Sequence, residues 1–187
     1  MRTLKLQIQL SIDGYISGPN GEMDWMKWDW DDELKEYTRT LTNSFDTIIL
    51  GRKMTNDFIS HWSNVAENPK DSEYEAAKKF IETPKVVFTK TLEESKWENT
   101  TLAKGKLKDE IYKLKNQKGK DIIVYGGGEF VSSLIKENLI DEYYLFINPS
   151  ILGSGMPIFK NVDYKMNLKL ENVKAYDCGI TVLKYTT

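Results

Sequence analysis

The segment "VYGGGEFVSSLI", residues 124–135, sets Gly126, Gly127 and Gly128 between an apolar run and a stretch with helical spacing. Glycine weakens the interior of an element, so three in a row mark a backbone that needs φ > 0 or comes very close to another group. Two readings fit: a tight strand-to-helix turn with close packing, or a helix N-terminus whose free N–H groups and dipole hold an anion. A second junction, "ILGRKMTNDF" (49–58), ends an apolar run at Gly51 and follows it with Arg52 and Lys53. Cations at a helix start are unfavourable unless an anion lies between them and the dipole, so the pair either meets a phosphate or simply projects into water. A third junction, "VVFTKT" (86–91), puts Thr89 and Lys90 after another apolar run. A parallel sheet brings such ends to one edge, where an extended ligand with several phosphates would meet all three.

The spacing argues against the commoner cradles. A Rossmann fingerprint needs glycine at position 131, where Val131 stands, and no Gly-Lys-Ser/Thr follows the glycines as a Walker loop requires. His61 is the only histidine and Cys178 the only cysteine. Without H-E-x-x-H, C-x-x-C or a nucleophile elbow, hydrolase, metal-site and disulfide chemistry find no support, and no metal is expected.

The 26 basic and 28 acidic side chains give a net charge of −2 with no long block of either sign, which points away from nucleic-acid and membrane partners and leaves small polar ligands open. The start, "MRTLKLQIQL", lacks the continuous apolar core of a signal peptide, so a cytoplasmic protein is expected.

The elements that must position these junctions are readable from periodicity. Leu4, Leu6, Ile8, Leu10 and Ile12 alternate with polar residues as in a strand. The runs "TIIL" (47–50), "VVF" (86–88) and "IIVY" (122–125) are apolar without alternation, as in central parallel strands covered on both faces. Trp30, Leu34, Tyr37 and Leu41 have helical spacing, with Asp29 or Asp31 as the cap, and Leu107, Ile111 and Leu114 repeat it. A further helix carries Val131, Leu134 and Ile135 directly after the glycines, and residues 63–73 read as a polar loop. From Glu142 the pattern becomes "EYYLFI", "KLENVKAY" and "ITVLKY", with "DCG" (177–179) as the turn of an antiparallel hairpin. One domain over residues 1–187 follows, a three-layer α/β sandwich whose mixed sheet is mostly parallel with an antiparallel C-terminal edge. An exposed edge near "EYYLFI" would suit pairing with a second copy.

Five segments, in order, carry a resemblance: "SIDGYISGPNGEMDW" (11–25), "ILGRKMT" (49–55), "VVFTKT" (86–91), "IIVYGGGEFVSSLIKENLIDE" (122–142) and "PSILGSGMPIF" (149–159). Together they make the chain similar to the dihydrofolate reductase superfamily, in the branch that resembles the reductase domain of bacterial riboflavin biosynthesis. The resemblance implies a sheet of about eight strands, NADPH as cofactor and a homodimer. It implies that Gly51, Arg52, Lys53 and Met54 hold the adenosine 2′-phosphate side and that Thr89 and Lys90 form the second wall of that pocket. Gly127, Gly128, Glu129, Phe130 and Val131 match the turn under the pyrophosphate. Where that branch has an acidic residue before the paired glycines, this chain has Tyr125, and the deaminase half is missing.

Hydride transfer needs the reactive carbon held in a dry pocket and a proton source nearby. The resemblance puts Asp13 near the substrate as a hydrogen-bonding or proton-relay group; a turn-forming Asp-Gly is the alternative. Trp25 resembles the tryptophan that closes the glycine loop (Gly14, Gly18, Gly21) in folate reductases. Asp29, Asp31 and Asp32 are alternatives for the carboxylate of the following helix. The implied activity is an NADPH-dependent reductase of a small heteroaromatic, pterin- or pyrimidine-like compound; a non-catalytic protein that binds or senses NADPH is the alternative.

Overall fold

A computed structural model describes all 187 residues. Eight strands form one sheet: β1 (Leu4–Leu10), β2 (Phe45–Gly51), β3 (Lys85–Phe88), β4 (Thr100–Ala103), β5 (Asp121–Val124), β6 (Glu142–Ile147), β7 (Lys169–Ala175) and β8 (Thr181–Thr186). Their order is β4-β3-β2-β5-β1-β6-β8-β7. The first six are parallel, and the β7–β8 hairpin closes the end antiparallel to β6. The mixed sheet and its C-terminal hairpin therefore stand as read. At the "DCG" turn, Gly179 takes φ +94° and donates its N–H to the Tyr176 carbonyl.

Five helices complete the sandwich: α1 (Asp32–Asn43), α2 (Arg52–Ala66), α3 (Tyr74–Glu82), α4 (Leu107–Lys115) and α5 (Gly128–Lys136). One face of the sheet packs under α4 and α5 through Ile111, Val131, Leu134 and Ile135. The other packs under α1, α2 and α3 through Leu34, Leu41, Phe58 and Phe80. Truncating any of these fully buried side chains to alanine should cost about 2–5 kcal/mol, because transfer and cavity terms add.

The alternation of β1 has an unexpected use. Such a pattern ordinarily leaves the polar face in water, yet β1 lies at the centre of the sheet between β5 and β6. Leu4, Leu6, Ile8 and Leu10 enter one core, while Lys5 and Gln7 are buried on the other face. Lys5 is satisfied there by Asp121 at 2.8 Å and the Ser44 hydroxyl at 2.9 Å.

Two expectations need correction. Helix α2 runs through Ala66, so the polar stretch 63–73 begins as helix, with Val65 and Ala66 half-buried on its inner side. "EYYLFI" is β6, an interior strand paired on both sides, because the hairpin folds back to cover it. The free edges belong to β4 and β7, and β7 leaves Leu170 and Val173 at least half exposed. No helix is long and apolar enough to cross a membrane.

Candidate functional site

Strand β5 is followed by α5 on one face of the sheet, whereas its neighbours β1 and β2 are followed by α1 and α2 on the other. Chains that leave adjacent parallel strands toward opposite faces open a crevice beyond the strands' carboxyl ends. The three glycines lie at this divergence.

Each glycine has its own reason. Gly127, the residue before α5, takes φ +83°, a left-handed conformation that costs other residues about 1–2 kcal/mol. A Cβ on Gly126 would lie 3.3 Å from the Met54 sulfur, and one on Gly128 would lie 2.5 Å from the Met156 sulfur and 3.0 Å from Ile16 Cδ1. The close approach legible in the sequence is thus made in part by the chain's own side chains. Both sulfurs belong to flexible methionines, which adapt to an incoming group more readily than branched residues do. Gly51 is tightest against α5: its Cβ would meet the Phe130 Cβ at 2.7 Å. Phe130 also packs on Phe88, with ring centroids 5.0 Å apart, so α5 locks together the ends of β2 and β3.

Three helix starts at this edge share one feature. Helices α2, α4 and α5 begin after Gly51, Lys106 and Gly127, and none has a side-chain cap. Their first N–H groups therefore lack the acceptor that a capping side chain would supply. By contrast α1 is capped, with the Leu34 N–H donating to Asp31 Oδ1 at 2.8 Å. Arg52 and Lys53 are exposed in the first turn of α2, which has no acidic residue to balance them. Glu129 in the first turn of α5 pairs with Lys160, which, with help from Lys53, holds its carboxyl below the usual range.

Thr89 and Lys90 are occupied. The Thr89 hydroxyl accepts from the N–H groups of Thr91 and Leu92, both at 3.1 Å, shaping the turn after β3. The Lys90 ammonium donates to the carbonyls of Lys104 and Gly105 at 2.8 and 2.6 Å, tying that turn to the loop after β4.

On the other side of β5, two loops make a wall. Ile16 and Met156 form a short ladder: Ile16 N–H donates to the Met156 carbonyl and Met156 N–H to the Ser17 carbonyl, each at 3.0 Å. The glycine loop after β1 is thereby braced against the segment after β6. Asp13 adds to the brace, accepting from the Ser11 hydroxyl at 2.7 Å and from the N–H groups of Gly153 at 2.7 Å and Leu152 at 3.2 Å. These donors, Ser11 first, hold its carboxyl below the ordinary aspartate range, so it is ionised at neutral pH. Asp31 bridges the α1 cap to the Cys178 N–H at 3.1 Å, while Asp29 and Asp32 stand in water near Lys27 and Lys35. Trp25 is half-buried, its indole N–H on the Glu22 carbonyl at 3.1 Å.

Asn148 is the residue that pattern reading passed over. Fully buried, it donates to Gln9 Oε1 at 2.7 Å and accepts from the Lys27 N–H at 2.9 Å. It thereby holds the ends of β1 and β6 and the Trp25–Trp30 segment together. Its only sequence signal is an Asn-Pro pair closing an apolar run.

The eight-stranded sheet and its layers have the dihydrofolate-reductase-like fold of riboflavin-biosynthesis-type domains. The RibD C-terminal domain model matches residues 2–182, and the chain belongs to that family. It is 34% identical to the uncharacterized protein YyaP of Bacillus subtilis (strain 168) over 184 residues, 98% of this chain and 94% of that protein. Among solved structures it is similar to a candidate riboflavin biosynthesis protein from Shewanella sp. PV-4, with a TM-score of 0.74 and 25% identity over 98% of each chain. It also shares the fold of the Thermotoga maritima diaminohydroxyphosphoribosylaminopyrimidine deaminase/5-amino-6-(5-phosphoribosylamino)uracil reductase, with a TM-score of 0.69 and 17% identity over 99% of this chain and 56% of that one.

Proposed function

We propose that this chain is an NADPH-dependent reductase of a small heteroaromatic, pterin- or pyrimidine-like compound. The observation that supports the reading is the set of three uncapped helix starts on one sheet edge, with the exposed cations Arg52 and Lys53 in the first turn of one of them. Backbone N–H groups and side-chain charge of this kind suit an extended ligand with separated phosphates.

In this reading Gly51, Arg52, Lys53 and Met54 hold the adenosine 2′-phosphate side, and the charge of Arg52 and Lys53 selects NADPH over NADH. Lys90, already held by two carbonyls, and Thr89 act as the rigid second wall. Gly127, Gly128, Glu129, Phe130 and Val131 form the turn under the pyrophosphate. When bound, NADPH supplies the hydride.

The chain's own task is to hold the acceptor against that edge and exclude water. Trp25 and the braced loops provide the wall, and Asp13, ionised and triply hydrogen-bonded, fixes the loop rather than delivering a proton. Asp31 orients α1; Asp29 and Asp32 are the carboxylates free to meet substrate. A homodimer belongs to this reading with β7, the strand with a free edge, at the contact; light scattering tests it.

The engagement of Asp13 and Asp31 favours a second reading, a protein that binds or senses NADPH without reducing anything. Two measurements separate them: dinucleotide affinity, and NADPH oxidation over a panel of pterins, folates and pyrimidines. Turnover of a panel member is expected. Tight NADPH binding with an inert panel would favour the sensor, and absence of dinucleotide binding would overturn both.

A further inference from the structure

The carboxyl edge is electrically divided. Residues 11–31 and 148–160, which build the wall beside β1 and β6, contain five carboxylates (Asp13, Glu22, Asp24, Asp29 and Asp31) and two cations, Lys27 and Lys160, the second paired with Glu129 of α5. Lys27 is already near Asp29 at 3.5 Å, and Asp24 is exposed. The other half of the edge carries Arg52, Lys53, Lys90, Lys104 and Lys106 against Glu93, which pairs with Lys104, and Glu129. Charges separated by less than the Debye length, about 10 Å at moderate salt, still act on one another, so an anion entering the wall meets repulsion and only cations that already have a carboxylate partner.

The same wall also exposes large apolar side chains. Ile12, Met23, Trp28 and Ile151 are each more than half exposed. The Ile12 N–H donates to the Ser150 carbonyl at 2.8 Å, and the Ser150 hydroxyl donates to the Trp25 carbonyl at 3.2 Å, so their segments are neighbours. Trp28 stacks on Trp30 with centroids 6.1 Å apart, and Trp30 on Phe146 at 6.0 Å. The file runs from the core outward and leaves Trp28 exposed at its end, which suits a flat ring.

From this division we infer that the substrate is a planar aromatic compound without a phosphate, stacked on Trp28. The inference rests on the proposed reductase reading of the edge and narrows its substrate. It sets this chain apart from the phosphoribosyl compound named for the Thermotoga protein, because a phosphate needs a free cation and both cations of this wall are already paired.

Calorimetric titration of the protein saturated with NADP+ tests it, with 5-amino-6-(5-phosphoribosylamino)uracil and its dephosphorylated form as probes. The dephosphorylated form should bind at least about ten-fold tighter. Trp28→Ala should weaken it by roughly ten-fold while Trp28→Phe restores it, a span set by stacking on one ring. Asp24→Lys should narrow the gap by improving the phosphorylated probe. Equal or tighter binding of the phosphorylated form, or binding of neither probe while NADP+ binds normally, overturns the inference and leaves the cofactor reading intact. Failure of NADP+ to bind overturns both.

Discussion

Gly51 and Phe130 meet so closely that a Cβ on the glycine would lie 2.7 Å from the Cβ of the phenylalanine, at the point where β2 ends and α5 begins. The neighbour is fixed near its own backbone and cannot swing away as a long side chain would. Gly51→Ala should therefore destabilise the fold by about 1–3 kcal/mol, the usual cost of overpacking a filled site. Chemical denaturation measures it. A stability unchanged from wild type would mean that α5 does not lock β2 as described.

Arg52 and Lys53 predict an opposition between stability and binding. Both stand at the positive end of α2 without an acidic partner in its first turn. Replacing Arg52 with Glu should stabilise the ligand-free protein slightly, by about 0.3–1 kcal/mol, while weakening NADPH binding. Thermal unfolding with and without NADPH reads both signs, and a variant that loses stability without ligand would show that the cations serve the fold.

Asp13 predicts a pH effect localised to two loops. Its carboxyl is held below the ordinary range chiefly by the Ser11 hydroxyl, with the N–H groups of Gly153 and Leu152 adding to it. Its contribution is present above the unfolded aspartate pKa, about 3.9, and is lost as pH falls through the lower folded value. Asp13→Asn should speed amide exchange at Leu152 and Gly153 at neutral pH, with little change at the carboxyl end of β2.

Lys85 gives a slope of the same sign at the other end of the pH scale. The side chain is buried, its ammonium held by the carbonyls of Ile81 and Thr83 at 2.8 Å each, and burial lowers its pKa from 10.5 to about 8. Between those values the unfolded chain keeps the proton and the folded protein releases it. This group therefore makes stability rise with pH over that window, and below about pH 8 its charged form weighs against the fold. An NMR titration of the Lys85 side chain should show a midpoint near 8; an ordinary lysine midpoint would contradict the buried placement.

Much of the fold was legible because periodicity reports which faces are covered. The parallel runs at β2, β3 and β5, an aspartate cap at Asp29 or Asp31, which the structure puts at Asp31, and the "DCG" turn all follow from local chemistry. Strand β4, whose four residues are "TTLA", gave no such signal, since its pairing with β3 at the sheet edge is a tertiary fact. The location of β6 was misjudged for a related reason: whether a strand is an edge depends on where the later hairpin returns.

The site was legible at its glycines and cations and less so at its wall. Gly127 announces a left-handed turn, but no pattern tells that Met54 and Met156 face the glycines beside it, or that Asp13 braces a loop some 140 positions away. Asn148 depends entirely on three segments that only the folded chain brings together.

The most direct test of the account is to titrate the wild-type protein and the Arg52→Ala, Lys53→Ala double variant with NADPH and NADH. The wild type should prefer NADPH by at least about ten-fold, and the double variant should lose that preference while binding NADH as before. Equal affinity of the wild type for both dinucleotides, or binding of neither, would contradict the claim that this sheet edge is built for NADPH.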